Sequence, residues 1–292
     1  MLLAVCLLCG SAPSSLSAET PDYPRVLKFA RDGEAVASLD LGTLRNECGG
    51  SRVEIEDPYY SKRMAFYACP LGWVLARGFG VSAESLAEQS FFLRARDGYT
   101  RQESGARLLE AGPFLAFADA ELSGPEDAAF GRGPRAQGFA PVFAPIDRRQ
   151  VDPGPFYLIW TGAHQGDPHQ YPWPYQLQTI EIGSFAQAFP HMVPAGAPND
   201  SAAARGFDTF RRECMACHSI NGQGGKVGPD LNVPMSIVEY RPTDQIKQYI
   251  RNPMQFRYTS MPAHRHFTEA QLDELVAYFE WMQTRKHDPG EP

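Results

Sequence analysis

Cys214-Met215-Ala216-Cys217-His218 is the stretch that decides the fold of the C-terminal part of this chain of 292 residues. Two cysteines three positions apart occur in zinc sites, in redox dithiols and, when a histidine follows directly, in covalent haem c sites. In a haem c site each thiol adds to a vinyl group of the porphyrin, and the histidine binds the iron. The motif alone therefore leaves three kinds of site open.

Residues outside the motif discriminate among these sites. No other cysteine follows Cys217, so a zinc site would lack its second pair of ligands. The βαβ pattern that surrounds a thioredoxin-like dithiol is absent as well. We therefore interpret the motif as a covalent haem c site.

Helical periodicity surrounds the motif on both sides. Gly206, Phe210 and Cys214 recur every four residues, which places them on one face of a predicted helix over 202–213 that leads into the motif. Thr268 has capping-box spacing and opens a second helix. Its apolar face consists of Leu272, Leu275, Val276, Phe279 and Met282. Because glycine has no side chain, we expect the two helices to cross closely at Gly206.

These features together resemble the class I cytochrome c family, over residues 202–287. The matching residues are Gly206, Phe210, Cys214, Cys217, His218, Gly228-Pro229, Met261-Pro262 and Tyr278. The resemblance implies an all-α domain with one haem c on Cys214 and Cys217. It also implies His218 and Met261 as the axial iron ligands, with the carbonyl of Pro229 orienting the histidine. A thioether ligand favours Fe(II) and raises the reduction potential.

Four other side chains compete for the role of sixth iron ligand, namely Met235, Met254, His264 and His266. Methionine is more often a packing residue than a ligand, so we assign Met235 and Met254 to packing. The two histidines follow Met261 closely and are expected to cap the last helix or flank the haem edge. We favour Met261 because of its soft sulfur and its position in a loop.

The N-terminal part, residues 22–188, has the pattern of an α+β domain. Predicted strands cover 26–29, 36–41, 53–56, 91–95, 156–160 and 175–182, and predicted helices cover 71–77, 83–88 and 104–111. A segment dense in glycine and proline over 123–155 predicts a long surface loop. Proline and small residues over 189–201 predict a linker to the second domain.

Several stretches of this part resemble the molybdopterin-binding domain of the sulfite oxidase type, which implies a mixed sheet. They cover 39–44, 53–55, 68–75, 96–100, 154–160 and 173–177. In that family a cysteine thiolate after the strand aligned with 53–56 binds molybdenum. Asp57-Pro58-Tyr59-Tyr60 stands at that place here. We therefore expect a docking or sensing domain without molybdopterin.

The N-terminus has the composition of an export signal over residues 1–18, in which a short apolar run is followed by small residues. We therefore predict a periplasmic or secreted protein with no transmembrane segment beyond the signal. Two of the six cysteines, Cys6 and Cys9, lie within the signal.

Cys48 and Cys69 remain once the haem cysteines are assigned. In an oxidising compartment such a pair is most simply a disulfide, and the alternative is that one of them ligates a metal or cofactor. His164 and His169 lie in a loop rich in proline and glycine, where their loose spacing argues against a metal site.

The formal net charge of -7 argues against a nucleic-acid partner. Combined with the resemblances, the sequence predicts a monohaem electron carrier rather than a self-contained catalyst. Its expected partners are a donor dehydrogenase and an acceptor oxidase or second cytochrome. Two alternatives stay open, which are a molybdopterin-dependent dehydrogenase of the sulfite type with a haem outlet, and a haem-based redox or gas sensor.

Overall fold

The computed structural model describes residues 23–48, 50–122, 143–146 and 150–290. The N-terminal part is rich in sheet and the C-terminal part is helical, which confirms the coarse division predicted from the sequence. The predicted export signal lies outside the described residues, and so does most of the predicted loop over 123–155.

The strands, numbered along the chain, are β1 (Val26–Arg31), β2 (Glu34–Asp40), β3 (Ser51–Asp57), β4 (Lys62–Pro70), β5 (Ser90–Ala95), β6 (Thr100–Ser104), β7 (Pro113–Asp119), β8 (Tyr157–Trp160), β9 (Leu177–Ile182), β10 (Ser219–Ile220) and β11 (Gln223–Gly224). The α-helices are α1 (Leu41–Glu47), α2 (Leu71–Phe79), α3 (Gly105–Leu108), α4 (Phe185–Ala188), α5 (Ala202–Glu213), α6 (Ile237–Tyr240), α7 (Thr243–Arg251) and α8 (Glu269–Gln283). Short 3₁₀ turns cover Glu84–Leu86 and Pro253–Gln255. Among the described residues, no helix has both the length and the apolar content needed to cross a bilayer.

Two sheets build the N-terminal part. The first has the strand order β2-β1-β9-β5-β6, and the second has the order β3-β4-β7-β8. In the first sheet β1 and β9 run parallel while the other neighbours are antiparallel, so this sheet is mixed as predicted. Leu27 and Phe29 on β1 alternate with more exposed residues, which is the pattern of a strand with one buried face.

Strand β4 escaped the sequence prediction because its side chains do not alternate. Six consecutive residues from Met64 to Cys69 are buried, so the side chains on both faces of this inner strand are covered. A continuous apolar run of this kind looks the same in a buried strand and in a buried helix. The sequence pattern therefore does not identify it.

Cys48 and Cys69 form a disulfide, which confirms the simpler of the two predicted alternatives. Their Cα atoms lie 5.8 Å apart, so the bond joins the end of α1 to β4. Cys69 is fully buried in the N-terminal core. The bond thus ties a surface helix to the central strand of the second sheet.

The C-terminal part is built on the crossing of α5 and α8. Gly206 lies at the crossing, where a Cβ atom would be 1.9 Å from the carbonyl oxygen of Glu274. Ser201 caps the start of α5, and Thr268 forms the predicted capping box at the start of α8. The close approach predicted from the glycine is therefore present.

The two parts pack directly on each other. The turn between β5 and β6 contacts the Cys214–His218 loop through its backbone, because Thr100 N–H donates to Ala216 O at 3.0 Å and Lys226 N–H donates to Gly98 O at 2.9 Å. Phe92 on the first sheet is fully buried in the same cluster as the C-terminal core. The N-terminal part therefore supports the loop that carries the cysteine motif.

The segment predicted as a linker over 189–201 packs into the C-terminal core. Phe189 and Met192 are buried there, and the hydroxyl of Tyr278 donates to the carbonyl of Met192 at 2.7 Å. The domain boundaries themselves, 22–188 and 202–287, stay predictions. The segment between them is a packed connection rather than a free tether.

Removing the disulfide is expected to destabilise the N-terminal part. The bond closes a loop with a sequence separation of 21 residues, for which the chain-entropy model gives about 3 kcal/mol. The double variant Cys48→Ala/Cys69→Ala should lose about that amount in denaturant unfolding followed by tryptophan fluorescence. A reductant should shift the wild-type midpoint and leave the variant unchanged. Equal midpoints for wild type and variant would contradict the role of the bond.

Gly206→Ala is expected to destabilise the C-terminal part by about 1–3 kcal/mol, the usual cost of overpacking. Gly72→Ala is the matched control, because that glycine is also helical and its added Cβ would meet Leu109 Cδ2 at 3.6 Å, an ordinary contact. The control should gain helix propensity without a clash. Thermal unfolding followed by circular dichroism measures both. Similar small effects in the two variants would refute a steric requirement at the crossing.

Candidate functional site

A cavity in the C-terminal part brings the predicted site residues together. Cys214, Cys217, His218, Pro229 and Met261 all line it. The cysteine motif reaches the cavity because α5 ends at Glu213 and the chain then turns tightly, with Cys217 N–H and His218 N–H both donating to Cys214 O. The end of α5 thus places two thiols and an imidazole on one wall of the cavity.

His218 is held in a defined orientation. Its Nδ1 donates to the carbonyl oxygen of Pro229 at 2.9 Å, which leaves Nε2 without a proton. Gly228 makes this geometry possible, since a Cβ there would lie 2.5 Å from His218 Cε1. Burial lowers the pKa of His218, so the imidazole is neutral at pH 7. The side chain is therefore prepared to act as a nitrogen ligand.

The two cysteines of the motif are free and protonated. Burial raises the pKa of the Cys214 thiol to about 12 and that of the Cys217 thiol to about 11. A redox dithiol requires the opposite shift, because the thiolate is the reactive form. The raised pKa values therefore disfavour the redox dithiol among the three kinds of site that the motif alone leaves open.

The alternative sixth ligands differ in exposure and in whether they line the cavity. Met235 and Met254 are both about half exposed, at 52% and 53%, and neither lines the cavity. His264 is buried and lines the cavity together with Met261, whereas His266 is exposed and does not. Met261 and His264 are thus the candidates that the fold places beside His218.

The opposite parts of the wall come from helices that the sequence analysis did not identify. Tyr240 at the end of α6 and Ile246 and Ile250 on α7 line the cavity. Ile246 and Ile250 are four residues apart and both buried, which is the spacing of a helix face. Because this spacing follows Pro242, the sequence could have predicted α7. No comparable signal marks α6, which is a single turn.

The donor set fits a covalently attached haem. Two neutral thiols, an imidazole with a free Nε2 and a thioether face one cavity, and its remaining wall includes the apolar side chains Leu231 and Phe279. Arg257 also lines the cavity and donates to the hydroxyl of Tyr249 at 3.0 Å. A cationic side chain at the wall suits the carboxylates of a porphyrin.

The cytochrome c family model matches residues 203–283, which extend from the start of α5 to the end of α8. No curated protein matches the chain. The family match covers the cavity and the elements that build it, and it leaves the N-terminal part without an assigned family. Residues 203–283 are a cytochrome c domain, which implies covalently bound haem c and electron transfer through it.

Proposed function

We propose that this protein is an exported monohaem electron carrier whose haem iron is ligated by His218 and Met261. The observation that carries the proposal is the shared cavity, in which an oriented imidazole and a thioether accompany two free thiols. A bound haem c supplies a one-electron iron couple. If His218 and Met261 both hold the iron, a substrate would find no free position on it, which favours a carrier over a catalyst.

His218 and Pro229 act together in this proposal. The Nδ1 hydrogen bond to the Pro229 carbonyl fixes the tautomer and increases the electron density on Nε2. The carbonyl is held in place because Asp230, the next residue, accepts hydrogen bonds from the backbone N–H groups of Gly222, Asn232 and Val233. These contacts make the orientation of the ligand a property of the fold.

Met261 is the proposed sixth ligand because it has a soft sulfur donor and because the fold holds it in place. Its backbone N–H donates to Thr259 Oγ1 at 3.2 Å, and its side chain packs against the C-terminal core. A soft sulfur donor stabilises Fe(II) and so sets a high reduction potential. His264 would give a lower potential at the same position, since imidazole is the harder donor.

The proposed partners are proteins that exchange single electrons, with a dehydrogenase as donor and an oxidase or second cytochrome as acceptor. Such partners must approach the cavity mouth closely. Val227 and Tyr240 line the cavity and remain 44% and 50% exposed, which provides an apolar rim for a short-lived contact. Export is supported by the disulfide between Cys48 and Cys69, because structural disulfides persist in oxidising compartments.

We also propose that the N-terminal part carries no molybdopterin and has a docking or sensing role. Where the sulfite oxidase resemblance requires a cysteine, the Asp57 carboxylate accepts hydrogen bonds from Tyr59 N–H, Tyr60 N–H and the Tyr157 hydroxyl. Cys48 and Cys69 are joined to each other, so neither offers a thiolate. The sulfite oxidase-like ancestry of this part stays a prediction.

Met261→Ala should abolish the weak absorbance of the oxidised protein at the red end of the visible spectrum. It should also lower the reduction potential by more than about 59 mV, a tenfold change in the equilibrium constant of a one-electron couple. The reduced variant should bind carbon monoxide, whereas the wild type should not. Met254→Ala is the control, because that methionine is exposed and outside the cavity. An unchanged spectrum in Met261→Ala would exclude Met261 as ligand, and carbon monoxide binding to the wild type would favour the gas sensor.

Elemental analysis of the purified holoprotein should find one iron per chain and no stoichiometric molybdenum. Sulfite should not reduce the haem, because a thiolate to hold molybdenum is lacking at Asp57. Apoprotein expressed without haem maturation serves as the control for adventitious iron. Stoichiometric molybdenum, or haem reduction by sulfite, would establish the dehydrogenase instead.

A further inference from the structure

A second group of ligand-type side chains lies beside the cavity. Glu213 at the end of α5 and His264 and His266 ahead of α8 each place a ligand atom within 4.8 Å of the others. The proposed electron carrier uses none of the three as an iron ligand. The group therefore requires its own explanation.

His264 is the unusual member of this group. It is only 4% exposed, and its Nδ1 finds no hydrogen-bond partner among the described residues. Burying a polar nitrogen without a partner costs about 1–3 kcal/mol. The ring is held by stacking on Phe267, with centroids 5.1 Å apart and the planes at 12°. A buried imidazole with a fixed ring and an unpartnered nitrogen is typical of a ligand-binding residue.

The other two members are open to an incoming ion. His266 is exposed and Glu213 is partly exposed, so a cation has a route from solvent to the buried His264. In the described part of the chain, Glu213 has no ion pair with an arginine or lysine. Its carboxylate is thus free of a competing positive charge.

A third histidine approaches from the N-terminal part. The ring centroid of His169 lies 6.1 Å from that of His266, and the ring centroid of His264 lies 5.8 Å from that of His266. The loose spacing of His164 and His169 disfavours a metal site built from neighbours along the chain. Packing of the two parts supplies His169 with neighbours from a distant segment.

We propose that Glu213, His264 and His266 bind one divalent cation of the Zn²⁺ class, with His169 as the fourth ligand. Imidazole nitrogens with one carboxylate are a donor set that Zn²⁺ and Cu²⁺ favour over Mg²⁺ and Ca²⁺. The ion would join the two parts of the chain at the edge of the haem cavity.

Glu213, His264 and His266 need only a small contraction to bind one ion. Ligand atoms around tetrahedral zinc at 2.0–2.1 Å are about 3.3 Å from one another. The observed limit of 4.8 Å therefore closes by about 1.5 Å through rotation of the exposed His266 and the long Glu213 side chain. His264, which is buried and stacked, can stay in place.

The site is coupled to the haem cavity by position. Glu213 and His264 line that cavity as well as belonging to the cluster, and Glu213 directly precedes Cys214. A bound cation beside the cavity raises the electrostatic potential there and so favours the reduced form of the iron. By linkage, the reduced protein then binds the cation more tightly than the oxidised protein does.

Titration of Zn²⁺ into haem-loaded protein, freed of other divalent cations by a chelator, tests the proposal by isothermal calorimetry. We expect one equivalent to bind, and we expect Glu213→Gln and His266→Ala each to weaken binding at least tenfold. His169→Ala should weaken it less, because three ligands remain. His191→Ala is the matched control, since His191 stacks on His287 at 3.7 Å and forms a separate surface pair. Binding of the control should equal that of the wild type.

Four results would overturn the proposal or its fourth ligand. A titration that shows no saturable heat of binding would exclude the site. Unchanged affinity in both Glu213→Gln and His266→Ala would exclude it as well. Loss of binding in His191→Ala would move the site to the other histidine pair. Unchanged affinity in His169→Ala would remove that residue from the ligand set. Because binding is read as heat and haem spectra check the fold of each variant, the result is independent of whether the protein carries electrons.

Discussion

The crossing of α5 and α8 at Gly206 is the constraint on which the haem-binding part depends. The carbonyl of Glu274 approaches so closely that no side chain fits at Gly206. This contact sets how closely α5 packs on α8, and Cys214 and the turn that follows it lie at the end of α5. On the other helix it aligns Tyr278, which binds the backbone at Met192, and Phe279, which lines the cavity. One backbone contact thus sets both the cysteine motif and part of the wall it faces.

The sequence predicts those parts of the structure that have a local cause. The spacing of Gly206, Phe210 and Cys214 predicts α5, and apolar spacing with a capping box predicts α8. Both helices are present, because each signal lies within a few residues of the element it specifies. The position of His218 against Pro229 followed from the family resemblance rather than from periodicity. Its physical reason, the absence of a side chain at Gly228, is visible only when the imidazole is in place.

The parts that escaped prediction depend on contacts between distant segments. Strand β4 is buried along six consecutive residues, so its own pattern does not alternate, and its sheet neighbours β3 and β7 include a strand more than 40 residues later in the chain. The residues Asp97-Gly98-Tyr99 predict a turn between β5 and β6, but they do not predict what that turn contacts. Gly98 has φ of +92°, and a Cβ there would lie 2.7 Å from Lys226 Cβ. The glycine thus serves the turn and also the docking of the turn on the cytochrome domain, and only the first role leaves a local signal.

The docking of that turn gives the N-terminal part a structural role that requires no redox cofactor. Thr100 binds the carbonyl of Ala216, which lies between the two cysteines of the motif, so the first sheet holds the attachment loop from outside. A rigid loop limits the reorganisation that accompanies a change of charge at the iron, and this lowers the barrier to electron transfer. The same packing brings His169 to His266. Separation of the two parts would therefore disturb the attachment loop and the histidine cluster together. A partner or an ion that binds at this interface would thus influence the haem.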